Sequence, residues 1–219
     1  MNIKWIAHAC FKLTLDSGKT ILFDPFDESI GYKMEDEKTD YLFISHNHYD
    51  HNCRDHIIGE YQVFDTPGKF ELEEGISAQG FETYHDDEQG AKRGKNICFK
   101  IEAEGLSILH MGDIGCVPDD RFFDEIGPVD ILMIPVGGFY TVDAETAIEI
   151  TKKIDPNIIL PMHYKTLFLD MPLAPVFSFT DAAAGYYDRA SMATCSFDIS
   201  ADNKKKRSRI MILENSLDM

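Results

Sequence analysis

Eleven consecutive residues decide how this chain is organised: Tyr41-Leu42-Phe43-Ile44-Ser45-His46-Asn47-His48-Tyr49-Asp50-His51. An apolar run that predicts a buried strand leads directly into three imidazoles and one carboxylate. In an extended or tightly turning segment, residues two positions apart project to the same side, so His46 and His48 can bind one cation. Asp50 and His51 fall on the next turn and point at a neighbouring position. The stretch therefore predicts a metal-binding turn that serves two adjacent cations, and the alternative is a chance cluster of polar residues.

Composition and charge narrow the class of protein. With 219 residues, of which 44% are hydrophobic and 11% aromatic, the chain is expected to form one globular domain, residues 1–219. The 38 acidic and 21 basic residues give a net charge of -17, which would repel a phosphate backbone. The dense basic run at residues 204–207 is interpreted as a solvated turn before the last strand. No nucleic-acid partner is therefore predicted.

The cysteines and the lengths of the apolar runs indicate in which cellular compartment the protein is expected. Five widely spaced cysteines without a Cys-x-x-Cys pair argue against disulfides and against zinc–thiolate clusters. The first residues run straight into a predicted strand, and no apolar stretch is long enough to span a membrane. We therefore expect a cytoplasmic protein without a membrane partner. The sequence does not determine the oligomeric state, and a homo-oligomer is possible.

The pattern His-x-His-x-Asp-His after an apolar strand resembles the signature of the metallo-β-lactamase fold hydrolases, and the resemblance covers about residues 1–165. It implies an α/β fold of the αββα sandwich type, in which two mixed β-sheets pack face to face with helices outside. Within that family, the chain is similar to the lactonase-like branch, the ascorbate-phosphate lactonase-like group. Residues 166–219 lie outside the resemblance and are expected to form a C-terminal covering segment.

The resemblance also implies the ligands of two cations. The first cation would be bound by His46, His48 and His85, and the second by Asp50, His51 and His163. The carboxylate of Asp113 would bind both cations. Asp50 is further expected to hold the nucleophile and to accept its proton, which makes it a catalytic residue. From the residues alone, His85 equally suits a surface turn, and Gly112-Asp113 is a common turn. Imidazoles and carboxylates without thiolate suit two zinc ions, and manganese or iron fit the same ligands.

Two further residues are expected to lie beside the ligands. Asp24 follows a predicted buried strand and precedes Pro25, so it either orients a ligand near the metals or caps a turn. His8 belongs to a segment, His8-Ala9-Cys10-Phe11, that resembles a small-residue motif beneath the site in one branch of the family. It either lines the pocket or is a core histidine that pairs with backbone.

Three residues are candidates for substrate contacts. Arg93 lies in the polar loop at 85–96, where a cation beside the site can meet an anionic substrate, and a solvated loop is the alternative. Tyr140 lies in a segment that resembles a pocket-lining turn of the lactonase-like branch, the alternative being a tight glycine turn. Lys165 closely follows His163 and is expected to reach a phosphate or carboxylate.

Elsewhere, the sequence predicts helices and one more strand. Asp143 as a cap and the apolar spacing that follows it predict a helix over 144–154. Further helices are expected at 118–126, 50–59 and 181–188, and a final edge strand at 209–214.

Together these features predict a metal-dependent hydrolase in which a metal-bridging hydroxide cleaves a small ester, lactone or phosphoester. Its partner would be a small-molecule substrate, and basic residues near the site favour an anionic one. The alternative is an iron-dependent oxidoreductase that performs dioxygen or sulfur chemistry on the same fold. No Ser-His-Asp elbow or glycine-rich phosphate loop competes with these interpretations.

Overall fold

Buried apolar segments of the chain form two large β-sheets and a small third one. The structure is a computed structural model and describes residues 1–203 and 208–217. The predicted solvated turn at 204–207 lies outside the described residues. The strands of the first large sheet are β1 (Asn2–Ala7), β2 (Cys10–Thr14), β3 (Thr20–Phe23), β5 (Tyr41–Phe43), β7 (Gln62–Phe64) and β15 (Ser196–Asp198), and those of the small sheet are β4 (Glu37–Lys38) and β6 (Ile57–Ile58).

The second large sheet has eight strands. These are β8 (Gly68–Glu73), β9 (Ile76–Tyr84), β10 (Lys95–Ala103), β11 (Leu106–His110), β12 (Ile131–Pro135), β13 (Ile158–Met162), β14 (Asp188–Ser191) and β16 (Arg209–Ile212). The strand order is β15-β1-β2-β3-β5-β7 in the first sheet and β14-β16-β13-β12-β11-β10-β9-β8 in the second. Both sheets are mixed, because hairpins such as β9–β10 pair antiparallel whereas β11, β12 and β13 run parallel.

Aromatic side chains from the two sheets meet in one core. The rings of Phe43 on β5 and Phe99 on β10 lie 5.0 Å apart, and Phe23 on β3 stacks on His110 of β11 at 4.8 Å. All four side chains are fully buried. Burial of apolar area on this scale is the main force that holds the two sheets together. The α/β fold with two mixed sheets packed face to face is therefore confirmed.

Three α-helices follow from clear caps and apolar spacing. They are α1 (Asp120–Ile126), α2 (Ala144–Ile154) and α3 (Val176–Ala182). The N-cap carboxylates Asp119 and Asp143 accept from backbone N–H groups in the first turns of α1 and α2. α2 packs against β12 and α3 against α2, while Phe122 of α1 meets Phe81 of β9. The predicted helices at 118–126 and 144–154 are confirmed.

Short segments pack on the first sheet, on the side away from the core between the sheets. The outer face of the first sheet is covered by a 3-10 helix, Glu28–Ile30, and by loops, and the apolar side chains of these segments form a second buried cluster with those of β3 and β5. Within residues 1–203 and 208–217, no helix is long and apolar enough to cross a membrane.

Three predicted elements differ from the structure. The segment 50–59 forms turns instead of a helix, because His48 O accepts from both His51 N and Asn52 N and Pro25 O accepts from Cys53 N. The helix expected at 181–188 lies earlier, at α3, and ends before β14 begins. The last strand, β16, lies between β13 and β14 rather than at a sheet edge, because both neighbours pair with it in parallel.

Backbone hydrogen bonds join the segment 166–175 to the 3-10 helix and to the loop after β12. Asp170 N donates to Ile30 O at 2.9 Å, and Ala174 N donates to Gly137 O at 2.8 Å. Gly31 permits the approach, because it has a φ of 107° and a Cβ added there would lie 2.1 Å from Phe168 O. Residues 166–175 are thus held by the close backbone contact at Gly31, whereas later parts of the expected covering segment, 166–219, form α3 and strands of both large sheets.

Gly31→Ala should therefore lower the free energy of unfolding more than the same substitution at a glycine that also has a positive φ but has no atoms near an added Cβ. Gly18 provides that control, because its φ is 85° and nothing lies within 4 Å of an added Cβ. We expect Gly31→Ala to cost about 1–3 kcal/mol more than Gly18→Ala in urea unfolding, as overpacking adds to backbone strain. Equal losses would show that the segment is not held against the body at this point.

Candidate metal centre

Asp24 organises the start of the predicted metal-binding turn. It follows β3, and its buried carboxylate accepts from Ser45 N at 2.7 Å and from Ser45 Oγ at 2.6 Å. His51 Nδ1 lies 2.9 Å from Asp24 Oδ2, and His46 Nδ1 lies 2.9 Å from Ser45 Oγ. Because the hydroxyl proton of Ser45 goes to Asp24, its oxygen accepts from His46 Nδ1. Both imidazoles therefore carry a proton on Nδ1 and point Nε2 toward Asp113.

A second set of contacts fixes Asp113 after β11. Asn96 Oδ1 accepts from Asp113 N at 2.9 Å, while Asn96 Nδ2 donates to Met111 O at 2.9 Å. Gly112 has a φ of 55°, and a Cβ there would lie 2.3 Å from Asn96 Oδ1 and 2.5 Å from Ser45 Cβ. Only glycine fits this position, so the turn that aims Asp113 into the centre is determined by sterics.

His110 supports the same turn from between the sheets. Its Nδ1 accepts from Gly112 N at 3.1 Å, and its Nε2 donates to Ala9 O at 2.8 Å. Both nitrogens are thus used, and burial lowers the pKa of His110, which keeps the ring neutral. His110 therefore packs in the core and joins the turn after β11 to the turn before β2.

Four imidazoles converge on one oxygen of Asp113. The distances from Asp113 Oδ2 to the Nε2 atoms are 3.1, 3.2, 3.4 and 3.9 Å for His163, His51, His85 and His46, respectively. The chain positions of these residues are far apart, but each follows the end of a strand, β5, β9 or β13, at the same rim. The structure therefore brings together the ligands that the resemblance implies.

Besides a group formed by His46, His51 and Asp113, the donors fall into two further groups. In the first, the rings of His46, His48 and His85 lie 4.5 to 5.1 Å apart, and one nitrogen from each lies within 4.8 Å of the others. The second group meets the same distance criterion and contains Asp50, His51, His163 and, in addition, His8. His8 was expected to lie beside the ligands, and the structure places it among them.

The donor atoms are suited to bind cations because they have no hydrogen-bond partners within the protein. Among the described residues, buried atoms without a hydrogen-bond partner are concentrated in this centre; they include both ring nitrogens of His8 and of His163, Nε2 of His46 and His51, and Asp113 Oδ1. A buried polar atom without a partner costs about 1–3 kcal/mol. A set of lone pairs aimed at common points is the arrangement that a bound cation stabilises.

Protonation in the metal-free protein agrees with this interpretation. Burial and the neighbouring His51 lower the pKa of His46 to about 3, and burial and His163 lower the pKa of His8 to about 4. Burial alone would also lower the pKa of His51, but Asp113 and Asp50 raise it well above its usual value. His46 and His8 are therefore neutral imidazoles at neutral pH, each with one nitrogen free of a proton, whereas a cation would displace the second proton of His51.

Three residues of the centre have left-handed backbone conformations. The φ angles are 55° at His8, 43° at Asp24 and 51° at His163. Such a conformation costs about 1–2 kcal/mol in a residue that is not glycine. These residues stand at the turns that follow β1, β3 and β13, so the strained turns direct their side chains to one rim.

A cavity of about 270 Å³ opens onto the donors. It is lined by His48, Tyr49, Asp50, His85, Arg93, Asp113, Tyr140 and Met171. Tyr49 and Met171 were not anticipated from the sequence, since Tyr49 is an ordinary residue within the histidine motif and Met171 belongs to the covering segment. The apolar walls formed by these two side chains and Tyr140 suit the body of a small organic molecule.

Arg93 stands in the wall of this cavity. Its Nη2 donates to Phe139 O at 3.1 Å, and its guanidinium lies 5.6 Å from the centroid of the Tyr140 ring. Two residues predicted for substrate contact, Arg93 and Tyr140, are therefore neighbours at the cavity. Since a guanidinium retains free donors after one hydrogen bond, Arg93 can still bind an anion.

The loop that carries Arg93 is built around the carboxylate of Asp86. Asp86 accepts from four backbone N–H groups, those of Glu88, Gly90, Lys92 and Arg93, at 2.8 to 2.9 Å. Burial alone would raise the pKa of Asp86, but these bonds lower it to about 2. Asp86 was not singled out from the sequence; the signal for this arrangement is a carboxylate followed by a glycine-containing loop.

Lys165 contacts the covering segment instead of the cavity. Its Nζ donates to Leu169 O and, at 3.1 Å, to Met171 O. It is not among the residues that line the cavity. The ammonium therefore holds the segment that places Met171, and its contact with a substrate anion stays a prediction.

Histidines and aspartates lie at the strand ends of two face-to-face sheets, around shared cation positions. This arrangement defines the class of metal-binding α/β proteins with a sandwich fold. Comparison with known families narrows this class. Residues 2–163 match the family model described as the β-lactamase superfamily domain, so the chain belongs to that family.

Individual relatives extend the comparison. The chain is 32% identical to a UPF0173 metal-dependent hydrolase of Thermoplasma acidophilum over 195 residues, which cover 77% of this chain and 85% of the relative. A crystal structure of a proposed Zn-dependent hydrolase of the metallo-β-lactamase superfamily, from Thermotoga maritima, has a TM-score of 0.80 and 34% identity and covers 98% and 99% of the two chains. A diiron β-hydroxylase from Streptomyces venezuelae, CmlA, is similar in fold alone, with a TM-score of 0.56, 14% identity and coverage of 74% and 44%.

Replacement of Asp86 by alanine should loosen the loop that carries Arg93. The backbone amides of Glu88, Gly90, Lys92 and Arg93 would lose their common acceptor, so we expect their hydrogen exchange to accelerate by about tenfold or more. Asp87→Ala is the matched control, because this neighbouring carboxylate is exposed and pairs only with the Lys92 side chain in the described contacts. Unchanged exchange in Asp86→Ala would contradict the assigned role.

Proposed function

We propose that the protein is a metal-dependent hydrolase that holds two divalent cations, zinc in the first instance, and cleaves a small ester, lactone or phosphoester. The observation that carries the proposal is the convergence of unpaired imidazole and carboxylate atoms on Asp113 at the floor of a cavity. The family membership and the names of the relatives support it, since the relative from Thermoplasma acidophilum is described as a metal-dependent hydrolase.

Two groups of residues would hold the cations. His46, His48 and His85 would bind the first, Asp50, His51 and His163 the second, and the Asp113 carboxylate would serve both. Cations in these positions would supply a hydroxide near neutral pH and would polarise the scissile carbonyl or phosphoryl group. The donor set lacks thiolate, which suits zinc and also manganese or iron.

Asp50 has the position and charge state for a second role. It lines the cavity, and although burial alone would raise its pKa, His51 and His8 lower it well below the usual value. Asp50 is therefore ionised at neutral pH. As part of the proposal, this carboxylate orients the nucleophile by accepting a hydrogen bond from it and receives its proton as the scissile bond breaks.

The wall of the cavity indicates the chemistry of the substrate. Arg93 offers a cation beside Tyr140, and the remaining wall is largely apolar. A guanidinium of this kind favours a carboxylate or phosphate over a neutral group. The proposed substrate is therefore a small anionic molecule whose charged group meets Arg93 while its apolar part contacts Tyr49, Tyr140 and Met171.

The alternative, an iron-dependent oxidoreductase, is supported by one observation. The donors are nitrogen and oxygen atoms that also suit iron, and a diiron hydroxylase shares the fold at low identity. Elemental analysis of the purified protein separates the two proposals: zinc supports the hydrolase, whereas two irons with little zinc, together with dioxygen uptake, would favour the oxidoreductase.

Loss of the cations should abolish hydrolysis without unfolding the protein. We expect the wild type to contain about two metal ions per chain and to act on members of a panel of lactones, carboxylic esters and phosphoesters, with activity lost on chelation and restored by the metal. His48→Ala and Asp113→Ala should each lower kcat/KM by about 1,000-fold or more. His56→Ala is the control, because this imidazole contacts Asp36 and Glu28 away from the centre. Full activity in both ligand variants would contradict the proposal.

Arg93 should discriminate between anionic and neutral substrates. For an ester that bears a carboxylate, Arg93→Ala should raise KM by about tenfold or more, whereas a neutral ester of the same shape should be affected little. Lys92→Ala is the matched control, because this cation lies in the same loop but pairs with Asp87 and Glu88. Equal effects of Arg93→Ala on both esters would show that the guanidinium does not bind the substrate anion.

A further inference from the structure

One buried imidazole of the centre has no place in the ligand set that the resemblance implies. His8 lies among Asp50, His51 and His163, and donor atoms of all four residues lie within 4.8 Å of one another. We propose that His8 is itself a ligand of the second cation and binds it through Nε2. This inference rests on the proposed function, because it requires a cation at these residues.

The ring of His8 is buried without any use for its nitrogens. Its side chain has no exposed surface, and neither Nδ1 nor Nε2 has a hydrogen-bond partner. The backbone oxygen of His8, by contrast, accepts from Trp5 Nε1 at 3.1 Å and from His163 N at 3.2 Å. A histidine that served only to pack would be expected to satisfy at least one nitrogen, as His110 does with both.

The distance from His8 to Asp50 matches that of two donors that share one ion. His8 Nε2 lies 3.4 Å from Asp50 Oδ2, and His51 Nε2 lies 3.7 Å from the same oxygen. A charge-assisted hydrogen bond between imidazole and carboxylate would measure about 2.7–2.9 Å. Two donors that each lie about 2.1 Å from one ion are about 3.0–3.4 Å apart, depending on the coordination angle. The separation between His8 and Asp50 thus fits ligation better than a hydrogen bond.

The backbone places His8 for this role at some cost. It stands in the turn between β1 and β2 with a left-handed φ of 55°, where glycine or asparagine would be less strained. His163 N donates to His8 O, so the turn that carries His8 is joined to the turn that carries another ligand. The two rings lie 4.1 Å apart at 42°, an arrangement in which both can face the same point. Strain of this kind persists where a side chain must reach a functional position.

With His8 included, the two cations have different surroundings. The first has three imidazoles and Asp113, which suits a four-coordinate ion. The second has three imidazoles, Asp50 and Asp113, which suits a five- or six-coordinate ion with more protein donors. The second position should therefore bind its cation more tightly than the first.

Nuclear magnetic resonance of the cadmium-loaded protein tests the assignment directly. With isotopically enriched cadmium and nitrogen-labelled histidine, scalar coupling between metal and nitrogen identifies each ligating imidazole. The sequence has eight histidines, and we expect coupling to six of them, with His56 and His110 as uncoupled internal controls. Coupling at His51 and His163 without coupling at His8 would overturn this inference alone. If no cadmium couples to any of these residues, both the inference and the proposed function fail.

His8→Asn provides a second measurement that does not depend on activity. Asparagine tolerates the left-handed backbone but is too short to replace Nε2. In competition with a chromophoric chelator, we expect the affinity for one of the two zinc ions to fall by about 100-fold or more, and the other to be retained. His56→Asn should leave both affinities unchanged, and thermal unfolding of the metal-free variants checks that the fold is intact. Two unaltered affinities in a folded His8→Asn protein would overturn the proposal.

Discussion

The whole arrangement depends on the burial of imidazole and carboxylate donors around one oxygen of Asp113. Within about 4 Å of that oxygen stand the Nε2 atoms of four histidines, and several of the buried nitrogens have no hydrogen-bond partner. Without cations, this crowding is costly, because desolvated polar atoms remain unsatisfied. With cations, the same crowding becomes the source of affinity. The turns, the glycines and the left-handed residues of the rim all serve to maintain it.

Much of this could be predicted from the sequence, because the decisive signals are local. The spacing of His46, His48, Asp50 and His51 after an apolar strand indicates metal binding by residue type and projection alone. The cap at Asp143 and the apolar spacing behind it likewise specify α2. The remaining ligands, His85, Asp113 and His163, were assigned through the family resemblance, since single residues after strands carry little information.

Other features depend on contacts between distant segments, which local patterns do not reveal. The segment after His51 does not become a helix because Cys53 N pairs with Pro25 O, on a different turn. The closeness of His8 to Asp50 arises only when loops from different strands meet at the rim. The position of Lys165 follows from the path of the covering segment, which lies outside the resemblance.

Anomalous scattering from crystals grown with zinc tests the central claim most directly. If the buried donors exist to hold cations, difference maps at the zinc absorption edge should show two peaks about 3.5–4 Å apart, one on each side of the Asp113 carboxylate. One should lie among His46, His48 and His85, and the other beside Asp50, His51 and His163. A fully loaded crystal without a peak between these side chains would contradict the account.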